Sequence, residues 1–333
     1  MPLNETHKAI DLKKERSFGE MLGLPFTFLF QEFKGLMGSV LRYAGPFFGI
    51  AIIFTILFFR NTIKGASLMN YGTPSYFSGS FILMWIVFSL SLYLAITVTI
   101  QYISKYSEKG KGNFTISEVG ENVFMQMLKV FGGMLMVGVI AVPVVFLFSI
   151  ISYVGPFLLI LFMIYIMVNL SLFPVIIVHE KIGIFKAFGQ SFETMRFNWW
   201  FSFGVYAVFY IMILAASYFF ILLVGLMFGG IAAASGGGSA IAVVMIGVIV
   251  LVFLSLYILM TVLFSTLFTL NYFNLNARDN RYDFTDRINA IKTVEQKQVI
   301  EFTEEKENGD LDYTIEKLPV NPDEEMNRFK PKI

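Results

Sequence analysis

The sequence predicts an all-α integral membrane protein: six transmembrane helices with about three amphipathic surface helices on the cytoplasmic side. Three observations predict it. The first is composition. Of 333 residues, 56% are hydrophobic and only 15% are charged, against roughly 25% charged in ordinary soluble domains. Mean hydropathy is +0.69. A soluble chain this apolar lacks the polar groups to cover its own surface, so its solvent is lipid. The second is the spacing of charge. No Asp, Glu, Lys, Arg or His lies between Arg42 and Arg60, Lys64 and Lys105, Lys129 and His179, or Arg196 and Arg278. The third is the asymmetry of Lys and Arg. With the N-terminus inside, the inner segments carry seventeen of them and the outer loops two, Arg60 and Lys64. Such an excess marks the cytoplasmic side, so both termini are expected there.

A helix needs about 20 apolar residues to cross the hydrocarbon. The first charge gap therefore holds one span, 41–59, and the second holds one, 80–102. The third is long enough for two, broken by SYVGP at 152–156. The fourth holds two more, 199–226 and 241–270, broken by GGIAAASGGGS at 229–239. Continuous apolar runs of this length exclude a β-barrel, whose strands alternate polar and apolar over about ten residues. Tyr43, Tyr76, Tyr102, Tyr153, Trp199, Trp200 and Tyr272 fall at the expected boundaries, where aromatic rings anchor spans.

Three domains are expected: a cytoplasmic segment 1–17, a membrane domain 18–277 and a cytoplasmic, mostly disordered tail 278–333. The first sixteen residues are polar, without the apolar core of a signal peptide. From Thr293 the tail has eleven acidic and six basic residues and few aromatics, a composition that resists folding.

Before each odd-numbered span the pattern is that of an amphipathic helix in the headgroup plane. The expected apolar stripes are Phe18, Leu22, Phe26, Leu29 and Phe33; Val119, Val123, Met127, Val130 and Met134; and Ile184, Phe188, Phe192, Met195 and Trp199. Pro25 is expected to kink or split the first helix. FGE at 18–20, VGE at 119–121 and FGQ at 188–190 echo one another, so the chain reads as a threefold repeat of surface helix, span out and span back.

Little in the sequence points to reaction chemistry. Cysteine is absent, which removes disulfides, thiolate metal sites and cysteine nucleophiles. His179-Glu180 continues as Lys-Ile-Gly, not as HExxH, and reads as the cytoplasmic exit of the fourth span. Thr115 with Glu118 is a capping box. The glycine run at 236–238 lacks the Lys-Ser/Thr of a phosphate loop. No catalytic, cofactor-binding or metal-binding residues are expected, and the chain is read as non-enzymatic. An ionisable residue inside a span would be a functional candidate by default, and the six spans contain none. The polar residues expected to make intramembrane contacts are Asn169 and Gln101. Phe188, Phe192, Trp199, Trp200 and Glu180 are expected at the interface. A net charge of +1 offers no basic surface for nucleic acid.

PVIIVHEKIGIFKAFGQSFETMRFNWW, residues 174–200, resembles a bacterial pattern carried here by Pro174, Glu180, Gly183, Ala187, Ser191, Phe192 and Trp199. SFGEMLGLPFTFLFQEFKGL and NYFNLNARDNRYD fit the same pattern, so the resemblance brackets residues 17–283. The family is the one named after the membrane portion of some glycerophosphodiester phosphodiesterases. The resemblance implies a multi-pass protein of the bacterial inner membrane. It implies no activity, because the phosphodiesterase chemistry of that family resides in a separate soluble barrel for which no segment here provides.

Two functions are therefore expected. The first is a membrane scaffold with a membrane or cytoplasmic protein partner. The second is binding or passive transport of a lipid or other apolar molecule, with the lipid bilayer as its source. A tight bundle would favour the first and an apolar cleft the second. The topology has its own test. A reporter fused after Ser235 is expected to read extracytoplasmic, and a cytoplasmic signal there would contradict the six-span reading.

Overall fold

A computed structural model describes residues 10–12, 14–67, 79–151, 153–234 and 252–279. Its helices are α1 (Phe18–Tyr43), α2 (Gly45–Ser67), α3 (Gly79–Lys109), α4 (Ile116–Val119), α5 (Val123–Ile150), α6 (Val154–Leu170), α7 (Phe173–His179), α8 (Ile184–Met195) and α9 (Trp199–Ala234), followed by α10 (Val252–Asp279). The described residues contain no strand. Five helices are long and apolar enough to span: α3, α4 with α5, α6 with α7, α9 and α10. A sixth is counted if α1 and α2, bent by 59° at their junction, form one broken span. The glycine-rich stretch at 236–238 and the tail from 280 onward lie outside the described residues.

Local chemistry sets the starts of the surface helices. Ser17 caps α1, and Glu20 reaches back to its N–H at 2.8 Å. That bond, with one from the Ser17 hydroxyl, holds the Glu20 carboxyl below the usual carboxylate range. Thr115 and Glu118 form the same reciprocal box at α4, satisfying N–H groups the first turn leaves free. Gly183 occupies the cap position of α8. In the second unit the surface helix is a single turn. Asn122 then takes a left-handed conformation (φ 58°) and α5 begins, carrying the predicted stripe straight into the span.

Counted from those caps, burial follows one register three times. The fourth, eighth, twelfth and fifteenth residues are buried in each unit. They are Met21, Pro25, Leu29 and Glu32 in the first, and Val119, Val123, Met127 and Val130 in the second. In the third they are Ala187, Ser191, Met195 and Asn198.

This protein-facing register is distinct from two of the three stripes expected to lie against lipid. The second coincides with the buried face over Val119–Val130, but the first and third share only Leu29 and Met195 with it. Phe18 and Phe33 are exposed, and Phe188, Phe192 and Trp199 are half-buried. The reason is the solvent. Lipid tails are as apolar as leucine, so hydrophobicity does not choose the protein-facing side, whereas small and polar residues do. Pro25 neither kinks nor splits α1. It lies inside the helix, and the departure from helical angles comes at Glu32 (φ −108°, ψ 15°). There the carboxylate receives the Tyr102 hydroxyl at 2.8 Å and lies 3.3 Å from the Lys111 ammonium.

The return helices form the centre. Residues 94–104 of α3, the whole of α7 up to Val178, and 262–275 of α10 are predominantly buried. α3 packs against α7, and α10 reaches both, through the Phe88–Tyr257 and His179–Tyr272 ring pairs. The outward spans α5 and α9 expose most of their apolar side chains. α5 and α7 approach closely at Gly133, where a Cβ would collide with the Phe173 ring. Tyr102 and Tyr272, expected as interface anchors, are instead buried. The last span runs on to Asp279, nine residues past its expected end. Its final turns, Tyr272 to Leu275, pack into the core rather than leaving the membrane domain.

Candidate functional site

Two features stand out, a polar seam and an apolar cleft. The seam joins the C-terminal ends of the three return helices. At the end of α7, Glu180 accepts two hydrogen bonds from the Gln190 amide of α8, at 2.6 and 2.7 Å. The Tyr272 hydroxyl of α10 donates a third at 2.6 Å. Gln101 of α3 donates to the Gln126 side chain of α5 and, at 3.2 Å, to the Glu121 carbonyl. Asn274 of α10 accepts from the Arg16 backbone N–H at 2.7 Å, and Arg278 pairs with Glu15 at 3.2 Å. The segment before α1 is thereby tied to the end of α10, with Leu12 buried and the Ile10 N–H on the Tyr106 hydroxyl at 2.9 Å.

The structure places the sequence-derived residues as follows. Asn169 is buried, and its amide donates to the Tyr165 carbonyl of its own helix at 2.8 Å. Contact between helices there comes through its backbone carbonyl, which accepts from Ser191. Gln101 does bridge helices. Glu180 is a three-bond tie. Phe188 packs on Phe173 and Phe192. Trp199 stacks on Phe203, with centroids 5.1 Å apart, and Trp200 is exposed. His179 packs edge-on against Tyr272 and Phe273. Its Nδ1, with Gln101 Oε1 and Ser104 Oγ, has no protein partner. These three residues line a small polar cavity of about 100 Å³, room for about three waters at ~30 Å³ each. Among the described residues, no three of His, Asp and Glu are grouped to hold a metal.

The cleft is larger and different in kind. It has a volume of about 860 Å³, inside the range of roughly 300–1,000 Å³ typical of ligand pockets. α5, α6 and α7 wall one side, α9 and α10 the other, and α3 closes the floor. It therefore separates the second unit from the third. Among the described residues, no Asp, Glu, Lys, Arg or His lines it. The floor is buried at Ile100 and Val175, while the rim is open: Met167 is 70% exposed, Tyr257 56% and Tyr210 54%. α5 contributes from Met134 to Val144 and α10 from Tyr257 to Phe268. At about 1.5 Å per residue the cleft is on the order of 15 Å tall. That is half of a hydrocarbon core about 30 Å thick, the depth of one leaflet.

Sequence reasoning did not find the cleft. One signal was present: Pro174, which sits in the first turn of α7 where its missing N–H costs nothing. Just before it, at Ser171 and Leu172, the fourth span breaks, and Ser171, Pro174 and Val175 beside this break line the cleft.

No family model, curated protein or solved structure matches the chain.

Tyr272→Phe keeps the ring contacts with His179 and Phe273 and removes only the hydroxyl on Glu180. Hydrogen bonds to a charged group are worth about 1.5–3 kcal/mol when buried. Glu180 is half-buried, so a loss of about 1–2 kcal/mol is expected in a detergent unfolding titration. Unchanged stability would mean that Gln190 and water suffice for Glu180.

Proposed function

We propose that this protein binds a lipid-like, uncharged apolar molecule taken from the surrounding membrane, for storage or passive passage without covalent chemistry. The observation that carries the reading is the cleft: ligand-sized, free of ionisable groups, one leaflet deep and open at its rim. Between the two functions expected from the sequence, such a cleft favours the second. A scaffold needs only surfaces, and an open apolar cavity of this volume forfeits the packing contacts a tight bundle would make. An apolar molecule from the bilayer restores those contacts.

The reading takes the chain to be a multi-pass protein of the bacterial inner membrane with both termini cytoplasmic, which the positive-inside charge pattern supports. The resemblance to the phosphodiesterase membrane-domain family implies no activity and so weighs on neither side.

Ala141 lines the cleft, and a larger residue there would fill it. Ala141→Trp is expected to reduce at least severalfold the lipid that co-purifies with the protein, measured by mass spectrometry. Leu161→Trp, placed on an exposed face of α6 outside the cleft, is expected to leave it unchanged. Equal lipid content in the wild-type protein and both variants would contradict the proposal.

A further inference from the structure

The inner wall of the cleft carries three hydroxyls, Ser171, Thr261 and Ser265, and their protons are committed. Thr261 donates to the Tyr257 carbonyl at 2.9 Å and Ser265 to the Thr261 carbonyl at 2.7 Å. Both are bonds back to their own helix. Ser171 lies 2.7 Å from the Val168 carbonyl and 3.0 Å from the Tyr206 hydroxyl. Its single proton cannot serve both. Asn271 settles the direction. Its amide donates to Ser202 at 3.0 Å and to the Tyr206 oxygen at 2.8 Å. Tyr206 is therefore an acceptor toward Asn271, and its own proton goes to the remaining neighbour, Ser171. Ser171 in turn gives its proton to Val168, which as a carbonyl can only accept.

With the Asn271 amide nitrogen toward Tyr206, Asn271 Oδ1 is left buried without a partner, and the order runs Asn271 to Tyr206 to Ser171 to Val168. It runs through residues that are buried, Asn271 and Ser202 fully. At its end the Ser171 oxygen has accepted one hydrogen bond and keeps a second lone pair. Thr261 and Ser265 likewise keep lone pairs and no proton. The inner wall thus offers acceptors without a donor, and Tyr210 and Tyr257 stand out at the exposed rim. A phosphate or carboxylate, which brings only acceptors and a charge, finds neither a donor nor a cation there. A hydroxyl brings the missing proton.

Resting on the cleft being a lipid site, we infer that its occupant is a lipid alcohol, an apolar chain ending in an uncharged hydroxyl, which donates to the free lone pair of Ser171. Long-chain alcohols and isoprenoid alcohols share this chemistry. One apolar chain fills the 15 Å of height, and the hydroxyl lies against the break between α6 and α7.

The test uses the full chain in lipid nanodiscs and three photoactivatable sixteen-carbon probes of equal length: an alkane, a primary alcohol and a carboxylate. Labelling of Met163 and Met167 in the cleft is read by mass spectrometry. It is divided by labelling of Phe146 and Leu147 on the outer face of α5, which corrects for partition into the bilayer. The alcohol is expected to exceed both the alkane and the carboxylate about fivefold, the effect of one neutral hydrogen bond. Ser171→Ala is expected to abolish the preference over the alkane, and Ser171→Thr to restore it. The wild-type comparison of alcohol with carboxylate needs no variant, so a misfolded Ser171→Ala leaves the inference testable. Equal cleft labelling by alcohol and alkane, or a preference that survives Ser171→Ala, would overturn the hydroxyl assignment while leaving the lipid site standing. Cleft labelling no higher than outer-face labelling for all three probes would overturn both.

Discussion

Inside a bilayer no water completes an unpaired polar group, so each must find its partner within the protein. The arrangement of this molecule follows from where those partners are. Side-chain ties between separate helices concentrate at the C-terminal ends of α3, α7 and α10. Glu180 with Tyr272 and Gln190, Gln101 with Gln126, and Asn274 with the Arg16 N–H all lie there. At mid-span Thr261, Ser265 and Thr266 of α10 turn back on their own helix. The three units are consequently clamped at one end. Further into the membrane the described residues of different units meet mainly through apolar contact, which lipid supplies equally well.

A bundle clamped in this way can part at mid-depth without breaking a polar bond. The cleft between the second and third units lies where that is possible. Its walls are the outward span α5 and the broken α6–α7 on one side, and α9 and α10 on the other, and its floor is α3. The Ser171–Tyr206–Asn271 chain marks the boundary between the two regimes. Below it, polar groups tie helix to helix, and above it apolar side chains face an open volume. A site at this boundary meets both halves of an amphiphile: the chain on one side and one small uncharged polar group on the other.

Much of the fold was legible in the sequence, because span length and charge placement are set by the thickness and polarity of the membrane. The gaps from Lys64 to Lys105 and from Lys129 to His179 contain α3, α5, α6 and α7 nearly as expected, and the Thr115–Glu118 box marks the start of α4. The protein-facing sides of α1 and α8 were not legible from hydrophobicity. Phe18 and Phe33 are as apolar as anything in the core yet face outward, while Ser191 and Asn198 face inward. Counting from the caps would have found them, since the same four offsets are buried in all three units. The cleft had only the faint signal of Pro174, because a void between helices depends on how far whole units stand apart. That distance is set by long-range contacts such as Tyr165 against Trp199 and Ser171 against Tyr206, which no local pattern encodes. Glu180 was visible as a charge, but its partners Gln190 and Tyr272 come from 10 and 92 residues away.

The central claim is that the second and third units stand apart at mid-depth with an apolar molecule between them. The most direct measurement is an experimental density map of the full chain, extracted together with its native lipids. The account predicts elongated density about half the hydrocarbon thickness in length, lying between α6 and α10 and ending beside Ser171. Met163 and Met260 packed directly against each other, with no intervening density, would contradict it.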